Sequence, residues 1–139
     1  MADRLQVDII TPDSMVLSGK YNMVVVRSVE GELGILAGHI PIIVTLSEWP
    51  VKLKNEDGTV TYVSVSGGFM EVRNNQVSIL ATAAEMPADI DAKRARAAKK
   101  RAEKRLLAKG EYDHARAQVA LKRAAGRIKT VELSASKTR

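Results

Sequence analysis

Short runs of apolar residues recur along the first part of the chain, and most of them alternate with polar residues. Leu5, Val7 and Ile9 form the first run, which stops at a turn signal in residues 11–14. Further strand-like runs occupy residues 21–29, 42–46, 51–54, 60–65, 70–72 and 77–81. Short strands at such close spacing are typical of an all-β sandwich or barrel, and we predict that fold here.

Turn signals separate several of these runs. The pair Asp57-Gly58 predicts a hairpin turn between residues 51–54 and 60–65. The pair Asn74-Asn75 predicts a turn before residue 77. Residues 31–39 contain three glycines, so we expect a shaped loop there rather than the interior of a strand.

After Pro87 the apolar period becomes helical. Asp89 or Asp91 can cap a first helix, whose apolar stripe at residues 95, 98, 102 and 106 ends before Gly110. A second helix is expected from about Asp113, with a coiled-coil-like seam at residues 117, 121, 124, 128 and 131. The two helices predict an antiparallel helical hairpin.

Charge changes at the same point as the apolar period. Residues 1–87 carry six basic and ten acidic residues, a net charge of −4. Residues 88–139 carry sixteen basic and six acidic residues, a net charge of +10, together with thirteen alanines. We therefore predict two domains, an acidic β domain at 1–87 and a basic helical domain at 88–139. The Ala-rich helices offer little apolar surface and must pack against something else.

Composition excludes several classes of protein. The chain has no cysteine, so it has no disulfide, thiol nucleophile or zinc–thiolate site. Its apolar runs are far shorter than the ~20 residues that span a bilayer. Residues 1–4 lack the apolar core of a signal peptide. We expect a soluble protein of a reducing compartment.

Four segments together carry a resemblance to a known family. They are residues 30–41, 65–72, 77–81 and 90–95, which read EGELGILAGHIP, VSGGFMEV, VSILA and IDAKRA. In their order and spacing, the chain resembles the epsilon subunit of bacterial F-type ATP synthase over essentially its whole length. One departure is Ala37, where the family usually has proline, which reduces the rigidity of that loop.

The resemblance implies an architecture and a role. It implies a ten-stranded β-sandwich at the foot of the central stalk, against the gamma subunit and the ring of membrane subunits. The C-terminal hairpin would fold against the sandwich or extend toward the alpha/beta catalytic hexamer, and the extended form would inhibit ATP hydrolysis. The chain would be a non-catalytic, regulatory subunit, peripheral to the cytoplasmic face of a bacterial membrane.

The resemblance also implies a regulatory ATP site, with or without Mg²⁺, in the folded-down tail. The family pattern Ile/Leu-Asp-x-x-Arg-Ala is present as Ile90, Asp91, Arg94 and Ala95, and Glu85 stands where the family has a glutamate near the base. Arginine forks match phosphate oxygens. The remaining candidates are Arg101, Arg123 and Arg127. Arg101 lies on the same face of the first helix as Arg94, and Arg123 and Arg127 share one face of the second helix. A solvated face, or contact with acidic partners, is the alternative interpretation of these arginines.

The glycine-containing segment is the predicted contact with the membrane ring. Its contact residues are Glu30, Glu32, Leu33 and His39, with the Glu32 carboxylate offered to a polar or basic ring loop. The alternative is that Glu32 is a solvated turn residue. We expect His39 to make a structural hydrogen bond between this loop and the sandwich.

Two other classes of function, nucleic-acid binding and stand-alone catalysis, have less support in the sequence. The basic tail could hold a nucleic-acid backbone, but its one aromatic residue, Tyr112, provides poorly for base stacking, and the acidic sandwich would repel nucleic acid. A stand-alone enzyme has less support, because no nucleophile–base pair, metal set or pair of carboxylates at useful spacing is present. The basic residues between 99 and 105 also suit acidic loops of the catalytic hexamer.

Overall fold

The computed structural model describes residues 3–108, 110 and 113–136, which form a β domain followed by two long helices. The strands are β1 Leu5–Ile10, β2 Met15–Tyr21, β3 Met23–Ser28, β4 Gly31–Leu36, β5 Ile42–Leu46, β6 Trp49–Lys54, β7 Val60–Val65, β8 Gly68–Arg73, β9 Gln76–Ala81 and β10 Ala84–Glu85. A 3-10 turn, Pro87–Asp89, leads into the helices α1 Ala92–Leu107 and α2 His114–Ser136.

The ten strands form two layers. One layer has the order β10–β7–β6–β3–β4 and the other has the order β5–β8–β9–β1–β2. The layers are continuous through one pair, Ser28 of β3 opposite Leu46 of β5. Neighbouring strands run antiparallel except β1 and β9, which are parallel. The predicted ten-stranded β-sandwich with a C-terminal helical pair is thereby confirmed.

The core lies between the two layers and follows the alternation seen in the sequence. Leu5, Val7 and Ile9 of β1 are fully buried, while the residues between them are not. Alternate residues of the other strands meet them, and the largest of these are Ile35, Leu53, Met70 and Ile79. Each such side chain stabilises the fold by about 1.5–3 kcal/mol through burial.

The loop predicted at residues 31–39 is wrong for residues 31–36, which form β4. This strand pairs along its whole length with β3, and its Ile35 is completely buried in the core. Gly34 packs closely against β3, since a Cβ there would lie 2.9 Å from the terminal methyl of the Met23 side chain, which would have to move. A glycine that serves tight packing inside a strand has the same sequence signal as a loop glycine.

The strand predicted at residues 21–29 is confirmed as β3 at residues 23–28, with Val24 and Val26 buried. The sequence missed β2, which ends at Tyr21, just before Asn22, whose N–H donates to the Lys54 carbonyl. No residue of β2 is fully buried, so its apolar alternation is weak in the sequence. The two hairpin turns are confirmed: the Asn55 N–H donates to the Thr59 carbonyl around Asp57-Gly58, and Asn74-Asn75 join β8 to β9.

Both helices begin at aspartates that the sequence singled out. The Asp91 carboxylate accepts a hydrogen bond from the Arg94 N–H at 3.0 Å and caps α1. The Asp113 carboxylate accepts one from the Arg116 N–H at 3.2 Å at the start of α2. The predicted stripes meet between the helices, where the buried residues are Ala95, Ala102, Ala117 and Ala124.

The helical hairpin is folded onto the sandwich through α2, which packs against β6 and β7. Gly126 lies near the sandwich backbone, and a Cβ there would be 3.4 Å from the Glu48 carbonyl oxygen, in ordinary van der Waals contact. Thr130, one turn further along, is completely buried, and its hydroxyl donates to the Gly126 carbonyl at 2.8 Å. Helix α2 therefore has one face toward α1 and another toward the sandwich.

Candidate functional site

Two of the residues predicted to bind ATP meet where the hairpin joins the sandwich. The Nε of Arg127 on α2 lies 2.5 Å from Oε1 of Glu85 on β10, and the two form an ion pair across the domain boundary. Their side chains are 33% and 32% exposed, respectively. The sequence proposed both residues for the same site, but it gave no sign that they pair with each other.

Ile90 and Ala95 have packing roles in this structure. Ile90 follows the 3-10 turn, is 9% exposed, and its N–H donates to the Pro87 carbonyl at 3.2 Å. Ala95 is 4% exposed in the seam between α1 and α2, where a larger side chain would separate the helices. Packing alone therefore accounts for two positions of the family pattern.

Asp91 and Arg94 are joined by the helix cap. The carboxylate of Asp91 accepts from the backbone N–H of Arg94, while both side chains remain exposed to solvent. A carboxylate in this position also interacts favourably with the helix dipole. Asp91 thus has a structural role that any experiment on ligand binding must separate from a direct contact.

The predicted arginines of the two helices lie in different surroundings. Arg94 and Arg101 are exposed on α1. Arg123 lines an open groove of about 580 Å³ toward the tip of the hairpin, with Arg105 of α1 and Arg116 of α2. The lining of this groove includes neither Arg94 nor Arg101, and it also contains the acidic Asp113.

Arg105 and Arg116 are cationic groove residues that the sequence did not assign to the nucleotide site. A signal for Arg116 was present, since it precedes Arg123 by seven residues and so shares a face of α2 with it. Arg105 belongs to the basic run of α1, and only the folding of the hairpin brings it to the same groove.

The predicted partner-contact residues lie around the β3–β4 hairpin and after β4. Glu30 is exposed in the hairpin turn, where its N–H donates to the Ser28 hydroxyl at 3.1 Å. Glu32 is exposed on β4, opposite Arg27 of β3, and Leu33 is half-buried opposite Val26. Because β4 lies at the edge of its layer, these side chains are accessible to a partner.

The hydrogen bond expected from His39 to the sandwich is wrong. The Nδ1 of the His39 ring lies 2.7 Å from the carbonyl oxygen of its neighbour Ile40. The backbone N–H of His39 donates to the Leu36 carbonyl. The contact between this loop and the rest of the sandwich comes from the Gly38 N–H, which donates to Oδ1 of Asn75 at 2.7 Å. The imidazole is half-buried and bonded locally, so a backbone donor makes the longer-range connection.

A separate polar cluster lies on the outer face of the sandwich around Asp8. Hydrogen bonds from Ser18, and also from Gln6 and Gln76, hold the pKa of Asp8 below its ordinary value of 3.8, against a smaller opposing effect of burial. Such a carboxylate is ionised and satisfied at neutral pH and is unsuited to act as a general base near pH 7. The described part of the chain also contains no group of three side chains arranged to hold a metal ion.

None of the helices in the described ranges is long and apolar enough to cross a membrane.

A two-layered β-sandwich with a helical hairpin folded onto it defines the structural class of the protein. Residues 4–87 match the family model for the β-sandwich domain of the ATP synthase Delta/Epsilon chain. Residues 88–132 match the model for the long α-helix domain of the same chain. The chain belongs to the ATP synthase delta/epsilon family, which confirms the resemblance found in the sequence.

Curated relatives from several bacteria are similar over most of their length. The ATP synthase epsilon chain of Halalkalibacterium halodurans is 55% identical over 126 residues, which are 89% of this chain and 94% of that protein. The epsilon chain of Bacillus pumilus is 50% identical over 124 residues, 89% of this chain and 94% of that one. That of Desulforamulus reducens is 44% identical over 133 residues and covers 95% and 100%.

Solved structures share the fold at lower identity. A chain of the Euglena gracilis mitochondrial ATP synthase (OSCP/F1/c-ring) has a TM-score of 0.80 at 22% identity, covering 95% of this chain and 81% of that chain. A chain of the central stalk and c-ring of the Tetrahymena thermophila mitochondrial ATP synthase has a TM-score of 0.55 at 18% identity, covering 97% and 98%.

Proposed function

We propose that this chain couples and regulates a rotary F-type ATP synthase from its central stalk, with a hairpin that inhibits ATP hydrolysis when extended and binds ATP when folded down. The observation that carries the proposal is the folded-down hairpin itself. Its junction with the sandwich contains the paired Glu85 and Arg127, two of the residues predicted to form the ATP site. The epsilon chains among its relatives support the stalk role.

The partners follow from the same proposal. The gamma subunit and the membrane ring would contact the sandwich, with the accessible β4 edge and its Glu32 facing the ring. The alpha/beta hexamer would receive the extended helices, whose basic residues suit acidic loops. The two similar structures, one of an assembly with F1 and the c-ring and one of a central stalk with its c-ring, support this set of partners. The protein would then be peripheral to the membrane through the complex.

ATP, with or without Mg²⁺, would act as a regulatory ligand on a two-state element. A ligand shifts such an equilibrium only by its differential affinity for the two states. The candidate contacts belong to three elements, since Glu85 is on β10, Arg94 and Arg101 are on α1, and Arg123 and Arg127 are on α2. Only a folded hairpin can present all of them to one ligand, which is why ATP would favour the compact form.

Family membership favours this role over the nucleic-acid-binding alternative. The basic tail that suggested nucleic acid falls within the family's long α-helix domain. The proposal therefore accounts for the charge of the tail without a second class of partner.

Calorimetric titration with Mg-ATP tests the ATP site. Arg94→Ala and Arg101→Ala remove exposed cations from α1, and each should weaken saturable binding about tenfold or more, because a charge-assisted hydrogen bond contributes ~1.5–3 kcal/mol. Lys100→Ala is the matched control, since it removes an exposed cation of the same helix that the proposed site does not use.

A pair of substitutions at Asp91 separates ligand contact from helix capping. Asparagine caps helices about as well as aspartate, whereas alanine costs about 1 kcal/mol of helix stability. A direct contact by the carboxylate predicts weak binding in both Asp91→Asn and Asp91→Ala. Absence of saturable binding by the unmodified chain, or equal weakening by Lys100→Ala, would refute the site and leave a stalk subunit that does not sense ATP directly.

A further inference from the structure

The buried apolar residues of α2 in the described part of the chain are the alanines Ala117 and Ala124, so no large apolar side chain of this helix is fully buried. Toward the sandwich, Gly126 lies near the Glu48 backbone, Thr130 is completely buried, and Leu133 lines a small cavity together with Trp49. The seam between α1 and α2 is likewise built on buried alanines. Because burial stabilises in proportion to the apolar area removed from water, a polar contact at this junction has a large relative effect on docking.

The Glu85–Arg127 pair is placed to have that effect. Arg127 directly follows Gly126, which lies near the Glu48 backbone, and Glu85 lies on β10, which pairs with β7 under the helix. Each side chain is about two-thirds buried, so solvent and salt screen the pair less than a fully exposed one. The pair joins residues 42 positions apart in the chain, one in each domain, and it can form only when α2 is docked.

The geometry also leaves Arg127 able to act on a ligand. Its Nε donates to Glu85, and within the described part of the chain no hydrogen bond of its two Nη groups accompanies that contact. Arginine offers five N–H donors in a planar group, so the four N–H donors of the two Nη groups remain for a ligand. The carboxylate of Glu85 holds Arg127 through Nε and leaves those donors to a ligand.

We propose that Glu85 and Arg127 form an electrostatic latch that holds the helical hairpin on the sandwich in the absence of nucleotide. Through this ion pair Glu85 also positions Arg127 at the junction, where the proposed site would place a ligand. The inference rests on the part of the proposed function that gives the hairpin two positions, and it is independent of whether ATP binds.

A buried position next to the latch provides the measurement. The chain has no cysteine, so Thr130→Cys introduces a single thiol at a site that is completely buried while α2 is docked. The rate at which a thiol reagent labels this residue reports the fraction of time that α2 is undocked. The measurement is made on the full chain without nucleotide, and circular dichroism checks that each variant remains folded.

On this background, Glu85→Gln and Arg127→Gln should each raise the labelling rate about three- to tenfold, the range expected for a partly buried ion pair. The exchanged pair Glu85→Arg with Arg127→Glu should return the rate toward the starting value, because the attraction is restored with opposite polarity. Glu71→Gln on the exposed face of β8 and Lys122→Ala on the exposed face of α2 are charge-matched controls and should leave the rate unchanged.

Two results would overturn the latch. One is a labelling rate in Glu85→Gln and Arg127→Gln that equals the rate in the controls. The other is an exchanged pair that labels as fast as the single variants, since loss of packing rather than charge would then explain them. Failure of the latch would leave the calorimetric test of ATP binding unaffected, and failure of ATP binding would leave the labelling result unaffected.

Discussion

At the scale of single residues, Gly68 has the least freedom in the sandwich. It begins β8 with φ +112°, and a Cβ built there would lie 2.1 Å from the Leu80 carbonyl oxygen of the neighbouring β9. The backbone conformation is strained for any other residue, and there is no room for a side chain. The segment around Gly68 also carried part of the family resemblance, and the close approach of two backbones is a physical reason for glycine there.

Gly68→Ala should therefore destabilise the sandwich by about 3 kcal/mol or more, because left-handed strain and a backbone clash act together. Gly58→Ala is the comparison, since Gly58 also has positive φ but open space around it. It should cost only the strain, about 1–2 kcal/mol. Urea unfolding of both variants measures the difference, and equal costs would show that the contact with Leu80 relaxes freely.

The residues of the family pattern show how far sequence reasoning reaches at this scale. The sequence predicted Asp89 or Asp91 as the cap of the first helix, and in the structure the cap is Asp91. The apolar stripe of the first helix also predicted that Ala95 is packed, and Ala95 is buried. The sequence could not indicate that Ile90 is buried or that Glu85 meets Arg127, because these contacts depend on how the helices fold back onto the sandwich. Local hydrogen bonds are encoded within a few residues, whereas these contacts join distant elements.

At the scale of elements, the strands predicted from alternation are those with a buried face, such as β1 and β9. The sequence missed β2, β4 and the two-residue β10, which lie at the edges of the two layers. An edge strand hydrogen-bonds to one neighbour and buries only part of its side chains, so its alternation of apolar and polar residues is weak or interrupted. In β4 this was compounded by Gly31 and Gly34, which resemble loop residues unless the partner strand is known.

The fit of the second helix against the sandwich can be tested at Gly126, where the helix lies near the Glu48 backbone. Gly126→Ala should be tolerated or stabilise α2 by up to ~1 kcal/mol, since the added Cβ would be 3.4 Å from the Glu48 carbonyl oxygen and alanine favours helix. Gly126→Leu should instead push α2 away from the sandwich, with a cost of about 1–3 kcal/mol from overpacking.

Labelling of Thr130→Cys distinguishes the two substitutions. The leucine variant should label faster than the unmodified background, and the alanine variant should label at the same rate or more slowly. Slow labelling in the leucine variant would mean that α2 shifts along the sandwich without undocking.

At the scale of the whole molecule, the two domains differ in what holds them together. The sandwich core contains large aliphatic side chains from both layers, such as Leu5, Ile35, Leu53 and Ile79. The buried residues between the helices are alanines, and the helical domain carries a net charge of +10. Mutual repulsion and a small apolar area make the hairpin the less stable unit.

Hydrogen exchange should therefore resolve two cooperative units. Amides of α1 and α2 should exchange faster than those of β1, β8 and β9 under native conditions, because undocking of the hairpin does not require the sandwich to open. Equal protection of both sets would indicate one cooperative unit, and the hairpin could not then move independently of the sandwich. The unmodified chain and Glu85→Gln, measured together, would show whether the latch affects only the helical set.

Taken by itself, the sequence determined the division into a β part and a helical part, most strands with a buried face, both hairpin turns, the starts of both helices and the family. These properties depend on residues close together in the chain, where period, turn chemistry and capping act locally. Four features are visible only in the tertiary structure: the edge strands, the folded-down position of the hairpin, the pairing of Arg127 with Glu85, and the groove shared by Arg105, Arg116 and Arg123. Those features arise where distant segments meet, and a contact between such segments leaves no periodic signal in either one.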